Sequence, residues 1–523
     1  MILINSADYV NVEFRNEFGA IPPCFLPIGN RKLLTYQVTA LRQSFGRHQR
    51  IVVSLPKNYA LSIDERSLLE SLNIQTVSVP EGISLGMAVL YVLNTVGFDG
   101  DVLRLLHGDT LLNSFPQEKD CIALAPTQDD YGWEFEQKKD NKLIWCGYFS
   151  FTSTQNLIRA LATTQGNFTK SVQMYADEEP SLVYKEVDNW YDLGHINTYF
   201  RSRSAITTQR AFNSLKIENG VVWKSGTPPR KIEAEANWFR ELPVKLRRFT
   251  PQLIQSGITE QGNPFYETEY LPFLPLNEIF VHGKNTVGFW DNILSLIALY
   301  MSESRKCFPN GDEELCQKIH EDSVALYADK TYDRLETYAK HQGIDLDQPT
   351  RYNGVQLPSL RQIAKECIEQ TLALPEVLTV SHGDLCFSNI MFDSRSNGIK
   401  VIDPRGLNVK QELTIYGNQT YDLAKLCHSF IGLYDFIIAD SFTLKKSEQL
   451  GVKLNFNVDN RLEEIQSSFM EAQLLPNVTN KQIIAPTILL FLSMIPLHFD
   501  KPHRQEAMLA NALRLYCDYL LLV

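Results

Sequence analysis

Across residues 1–200 short apolar runs of strand character alternate with segments of helical periodicity, a rhythm that few folds accept. MILINSA, RIVVSLP, TVSV, DVLRLLHGD and DCIALAP are the strand-like runs, while LLTYQVTALRQSF and GMAVLYVLNTV space their apolar residues as one face of a helix. Alternation of this kind predicts an α/β fold, with a mostly parallel, doubly wound sheet carrying helices on both faces. Such sheets bind ligands at the carboxyl ends of their strands.

The rhythm stops near residue 200. RSRSAITTQRAF at 201–212 is polar and reads as a join. Beyond it NSLKIENGVVWKSG reads as a hairpin with Glu218-Asn219-Gly220 as its turn, RKIEAEANWFREL as a helix, and EYLPFLPLNEIFV as an extended connector. After about residue 286 nearly everything reads as helix, and no repeat of solenoid length is visible. The expected organisation is a first domain over 1–205 and a second over 206–523. The second divides into a small α+β lobe at about 206–285 and a large helical lobe at about 286–523.

A chain of 523 residues has room for both cores. Its hydrophobic content of 44% and charged content of 21% suit a soluble globular protein. The net charge of −11 argues against nucleic acid or an anionic membrane surface as the main partner. Nine cysteines are scattered without a C-x-x-C pair, which reads as reduced thiols in the cytoplasm, not metal ligands. MILINSADYV lacks the basic flank and long apolar core of a signal peptide. IIAPTILLFLSMIPLHF at 483–499 is short for a membrane span and holds Pro486 and Pro496, so it reads as a buried helix pair. Oligomeric state stays open.

One stretch in the helical half has a different grammar. SHGDLCFSNIMFD and the following IKVIDPRG place His382, Gly383, Asp384, Asn389 and Asp403 at the ends of apolar strands. Two carboxylates and an amide gathered there are costly to bury unless something cationic lies between them. The arrangement suits phosphoryl transfer. Asp384 can accept the proton of an attacking hydroxyl, while Asn389 and Asp403 hold Mg²⁺ against nucleotide phosphates. His382 would orient the loop by hydrogen bonding.

These residues resemble the H-G-D-x-x-x-x-N and I-D motifs of the aminoglycoside phosphotransferase and choline kinase family, within the protein-kinase-like fold. The resemblance covers roughly 213–523. It implies ATP as phosphate donor and a lysine on the VVWK strand, Lys224, that contacts the α and β phosphates and pairs with a helix glutamate. Glu235 fits the family's E-A-x-x-L-x-x-L spacing best, with Glu233 as the alternative. EYLPFLPL at 269–276 is similar to the adenine-binding hinge, and YDLAKL at 421–426 to the helix after the metal loop.

The first half carries a second resemblance. FLPIGNRKLLTYQVTAL, SLGMAVL, LLHGDTLL, WCGYFSF and NWYDLGHINTYF follow the order seen in sugar-phosphate nucleotidyltransferases. By that likeness Asp109 and Asp192 hold a catalytic Mg²⁺, Gly86 lets backbone approach the nucleotide base, and Gly147 leaves space beside the sugar. The departure lies at the start. The family's Gly-rich G-x-G-T-R loop and its P-K pair are absent from ILINSADYVNVEFRNEFGAIPPCFLPI, Pro23 stands where the lysine belongs, and Arg15 is the one candidate replacement for the arginine.

Together the two likenesses imply a bifunctional transferase. A kinase would phosphorylate a hydroxyl of a sugar or small alcohol, and a nucleotidyltransferase would couple that phosphate to a second nucleoside triphosphate, giving an activated precursor for capsule or other surface polysaccharide. The alternative is a small-molecule kinase whose first domain only binds a nucleotide or drives oligomerisation.

Overall fold

All five apolar runs of the first half become strands of one sheet in a computed structural model that describes residues 1–98, 100–127, 129–138, 141–208, 214–309 and 311–521. Ile2–Asn5 is hydrogen-bonded in parallel to Ile51–Pro56 on one side and Leu103–His107 on the other. Gln75–Val79 continues the parallel set beyond Ile51–Pro56. On the far side Asn141–Phe151 runs antiparallel between Leu103–His107 and Cys121–Pro126, and Val183–Glu186 lies parallel to the latter. The result is a mixed α/β unit built on a large, mostly parallel sheet.

Both faces of this sheet are covered, which explains why its central strands are continuously apolar. Successive side chains point to opposite faces. Ile2, Ile4, Ile51 and Val53 meet Leu34, Val38 and Leu41 of helix Leu33–Phe45, and Leu69 of helix Ile63–Ser71. Leu3, Val52, Leu103 and Leu105 meet Val89 and Val92 of helix Leu85–Val96, joined by Leu157, Leu161 and Val172 from helices Thr154–Thr163 and Phe168–Glu178.

By Cα packing the chain divides into two units, Met1–Gln209 with His282–Lys284, and Arg210–Val281 with Asn285–Val523. The polar stretch expected as a join is instead helical as far as Thr208, in helix Ile196–Thr208, and its last residues, 209–212, lie outside the described set. Tyr199 and Phe200 are buried, so the helix is part of the first unit's packing.

The second unit opens with a four-stranded antiparallel sheet in the order Ser214–Glu218, Val221–Ser225, Pro264–Glu269, Leu253–Ile258. Its first turn is Asn219-Gly220, with φ of +50° and +77°, a pair of left-handed positions that suits those two residues. Helix Pro229–Glu241 buries Ile232, Ala236, Trp238 and Phe239. Among the described residues eight long helices follow, including Val287–Lys306, Lys330–Gln342, Gln419–Phe430 and Pro502–Leu515.

Three expectations for this half need correction. The connector EYLPFLPLNEIFV is extended only as far as Pro275, and Leu276–His282 is a helix. The 483–499 stretch is one helix, Ile484–Met494, running into a 3₁₀ turn at Ile495–His498, not a helix pair. Pro486 falls in its first turn, where a backbone N–H has no partner to lose. No helix among the described residues is long and apolar enough to cross a membrane. The region after 286 is also less uniformly helical than expected. Hairpins Pro349–Tyr352/Val355–Ser359 and Phe442–Ser447/Gly451–Phe456 join into a second four-stranded sheet.

Candidate active site

In the second unit the site is assembled from a strand, a helix and two loops. Lys224 lies in the inner strand Val221–Ser225, in register with Tyr266, and is almost fully buried. Its Nζ donates to Glu235 Oε2 at 2.7 Å and to Asp403 Oδ1 at 2.9 Å, and the Tyr266 hydroxyl donates to the same Glu235 oxygen at 2.7 Å. Burial works against the ammonium, but Asp403 and Glu235 outweigh it and hold the Lys224 pKa above its ordinary value. Burial pushes Glu235 up, partly opposed by Lys224. Glu233, the alternative helix glutamate, is solvent-exposed and paired with Arg230 at 2.8 Å.

The loop from Ser381 to Asn389 is held from behind. Asp422, buried in helix Gln419–Phe430, accepts the Ser381 hydroxyl at 2.9 Å and the backbone N–H groups of His382 and Gly383 at 3.0 and 2.7 Å. The fully buried His382 accepts the Asp384 N–H at Nδ1, which leaves Nε2 to donate to the Ile402 carbonyl at 2.9 Å. Its contacts are those of a strut between the two loops. Asn389 Nδ2 donates to the Asp384 carbonyl at 2.9 Å and to its carboxylate at 3.2 Å. The Ile402 N–H donates to the Asn389 carbonyl at 3.0 Å, which sets Asp403 beside that loop. Asp403 itself adopts φ of +55°, an uncommon conformation for a non-glycine residue.

Sequence reasoning missed two members of this group, both inside the YDLAKL stretch. Lys425 Nζ lies 2.9 Å from Asp384 Oδ1, and Asp422 is the clamp just described. Burial raises the Asp384 pKa, yet Lys425 more than offsets this, so the carboxylate is held below its usual range and stays ionised at neutral pH. Their helical spacing, three residues apart on one helix, was the available signal.

The first unit brings Asp109 and Asp192 together. Asp109 follows strand Leu103–His107, and Asp192 pairs with Thr110 in a short two-stranded ladder. A methyl group on Gly194 would sit 2.5 Å from Asp109 Oδ2 and 3.4 Å from Asp192 Oδ1, so the two carboxylates converge on that glycine. Burial and then the Asp192 charge push Asp109 up to about 6. His195 Nδ1 lies 2.8 Å from Asp192 Oδ2, the Gly194 N–H donates to Oδ1 at 3.1 Å, and the Thr198 hydroxyl donates to Oδ2. Burial lowers the His195 pKa, but the hydrogen bond to Asp192 and the nearby acidic charges raise it overall. Tyr131 stacks on His195 at 3.8 Å, with Trp133 edge-on to both His195 and Trp190.

The two glycines expected beside a ligand are close-packed within the chain. A Cβ on Gly86 would lie 2.5 Å from the Gly166 carbonyl oxygen, and one on Gly147 2.5 Å from Thr110 Oγ1. After the first strand, residues 6–11 form an irregular segment that leads into a helix. Val12–Phe18 is a helix capped by Asn11, and Arg15 spends its Nε on the Val10 carbonyl at 2.9 Å.

With both sites in view, comparison with known proteins gives a double likeness. No protein-family model matches the chain, and no curated protein matches it. Among solved structures, the GDP complex of aminoglycoside 2'-phosphotransferase-IIIa is similar with a TM-score of 0.38 and 13% identity, covering 58% of this chain and 89% of that one. HddC from Yersinia pseudotuberculosis is similar with a TM-score of 0.28 and 16% identity, covering 39% of this chain and 97% of that one. The 4-diphosphocytidyl-2C-methyl-D-erythritol synthase of Anaerococcus prevotii has a TM-score of 0.28 and 9% identity, with the same coverage of 39% and 97%.

Both sites offer hard oxygen donors of the kind Mg²⁺ takes. Asn389 and Asp403 present one amide and one carboxylate, and the Asp403 side chain is 43% exposed with the Lys224 ammonium on one of its oxygens. Asp109 carries a raised pKa, the mark of a negative charge that its surroundings do not balance. Among the described residues no group of three or more His, Cys, Asp or Glu is arranged as a metal cage. Either pair would therefore need phosphate oxygens or water to complete an octahedral shell.

Proposed function

We propose that the second unit is an ATP-dependent small-molecule phosphotransferase and that the first is a nucleotidyltransferase acting on its product. The observation that carries the reading is the bridge of Lys224 between Glu235 and Asp403, next to a loop in which Asp384 and Asn389 are hydrogen-bonded to each other. An acceptor hydroxyl oxygen attacks the γ-phosphorus of ATP, the new O–P bond forms, and the β,γ-bridging bond breaks to release ADP. The hydroxyl proton passes to the Asp384 carboxylate. Lys224 would hold the α and β phosphates, with Glu235 fixing its ammonium. Asn389 and Asp403 would hold Mg²⁺, which when bound would neutralise charge on the phosphate oxygens.

In the second reaction an oxygen of the new phosphomonoester attacks the α-phosphorus of another nucleoside triphosphate, and pyrophosphate leaves. Asp109 and Asp192 would hold Mg²⁺ there. A sugar or small alcohol activated in this way suits the assembly of capsule or another surface polysaccharide, a placement that rests on the pairing of the two reactions.

One observation favours a second reading for the first unit alone. The irregular segment 6–11 after the first strand holds no glycine, and Arg15 in the helix behind it is engaged by backbone and by the Tyr9 ring. On that reading the unit binds a nucleotide without turning it over. A screen of sugars and small alcohols with ATP, then with each nucleoside triphosphate, read by product mass, separates the two. A phosphorylated acceptor with no pyrophosphate release leaves only the kinase, and no phosphorylated acceptor sinks the proposal.

A further inference from the structure

Around the ring of Tyr421, just behind Asp384, the second unit gathers four cations. Arg405 places its guanidinium carbon 5.5 Å from the Tyr421 ring centroid, and Lys425 its Nζ at 5.9 Å. Lys330 and Arg334, one turn apart on helix Lys330–Gln342, both interact with Tyr421 and Arg405. Arg334 is tied by a hydrogen bond to the Ser493 carbonyl at 2.7 Å. A cavity of about 40 Å³ lies against Arg405 and Tyr421, lined also by Asp322, Tyr327, Gly383 and Thr414 among others.

The acidic groups nearby do not balance this charge. Asp384 is taken by Lys425, and Asp422 is spent on three donors of the Ser381–Gly383 segment. Asp322 faces both Arg405 and Lys330 and accepts the Val409 N–H, but burial outweighs these and pushes its pKa up, so one partly disfavoured carboxylate stands against four cations. Among the described residues neither Lys330 nor Arg405 has a carboxylate within ion-pair distance. Lys330 registers the excess: the Tyr421 hydroxyl favours its charge, but burial with Arg405, Arg334 and Lys425 brings its pKa down to about 8. Half-buried like charges held together are unfavourable, and an anion would relieve them. A site shaped for a polycationic aminoglycoside would carry the opposite sign.

We infer that the phosphate acceptor is itself an anion, a small alcohol or sugar bearing a carboxylate or phosphate group, which Arg405 and Lys330 hold while its free hydroxyl faces Asp384. The inference rests on the phosphotransferase reading and names its substrate class. Recognition by charge-assisted hydrogen bonds would fix the acceptor's orientation as well as its affinity.

The test uses the full chain and matched acceptors: glycerol against glycerate, glucose against glucuronate and glucose 6-phosphate, with choline and kanamycin as cations. ADP release should favour the anionic members, and the carboxylate and phosphate arms tell the two oxyanions apart. Lys330→Gln and Arg405→Gln should raise the acceptor KM by about tenfold or more while the KM for ATP stays put, and Lys330→Arg should keep the affinity. Equal or better kcat/KM with the neutral or cationic members overturns the inference, as does a rise confined to the KM for ATP. If no member yields ADP, calorimetry of the same anions decides. Heat that Lys330→Gln removes keeps the anion site while the kinase reading falls, and no heat from any anion overturns the site.

Discussion

Asp384 is the residue on which the proposed chemistry turns, and its neighbours set what each substitution should do. Asp384→Asn keeps the shape and the Asn389 contact but removes the proton acceptor and the partner of Lys425. Turnover should fall by orders of magnitude with ATP affinity changed little, as single-turnover kinetics and nucleotide titration would show. Asp403→Ala should act differently and weaken Mg²⁺-nucleotide binding along with turnover. An unchanged Mg²⁺ dependence would remove Asp403 from the metal site. Lys330 carries a pH signature. Its pKa falls from the ordinary 10.5 to about 8 in the folded chain, so between those values the unfolded chain holds a proton that the folded one lacks. Its contribution to stability is therefore unfavourable below pH 8 and vanishes as the pH rises towards 10.5. Lys330→Met should have a higher Tm than the parent chain below pH 8, with the gap closing across that window. Parallel melting curves at all pH values would show that Lys330 is not under charge stress.

At the scale of elements, helix Pro229–Glu241 and the loop after Asp403 depend on each other through one glycine. Gly406 has φ of +63°, and a Cβ there would lie 2.3 Å from the Ala234 carbonyl oxygen, one residue before Glu235. Gly406→Ala should cost about 2 kcal/mol or more, from the left-handed backbone and from the displaced helix. It should also loosen the Lys224–Glu235 pair, so nucleotide affinity should drop more than in a surface variant of equal Tm. The same scale shows which elements could be read in advance. The strands of the first sheet were legible because burial on both faces leaves continuous apolar runs. The hairpin at 349–359 was overlooked although Asn353-Gly354, with φ of +46° and +86°, carries the same turn signal as Asn219-Gly220. Its strands are too short to show alternation, and the surrounding helices dominate the local pattern.

At the scale of the whole molecule, two proposed reactions in two units should be separable by substitution. Asp109→Asn with Asp192→Asn should abolish Mg²⁺-dependent nucleotide binding by the first unit and any pyrophosphate release, yet leave ADP formation intact. Asp384→Asn should do the reverse when a ready-made phosphomonoester is supplied. Loss of both activities in either variant would mean that the sites are coupled. A fragment that starts beyond Thr208, not within helix Ile196–Thr208, should fold and keep the phosphotransferase. An insoluble or inactive fragment beside an active full chain would show that the first 208 residues complete it structurally.

The sequence by itself determined what local rules can encode. Periodicity placed five strands and two helices of the first half, an Asn-Gly pair placed a turn, and the spacing of Asp384 and Asn389 put both on one loop, where they are hydrogen-bonded. Tertiary structure alone decided the rest. It chose Glu235 over Glu233 by burying one and exposing the other, and it joined Lys224 to Asp403 across 179 residues of chain. It made a helix of Val12–Phe18, and it collected Lys330, Arg334, Arg405 and Lys425 around one tyrosine from three separate segments. Those outcomes depend on which surfaces meet after folding. A lone lysine or arginine reads the same in sequence whether it ends in solvent or in a pocket, because its charge has no local period and its partners lie far away in the chain.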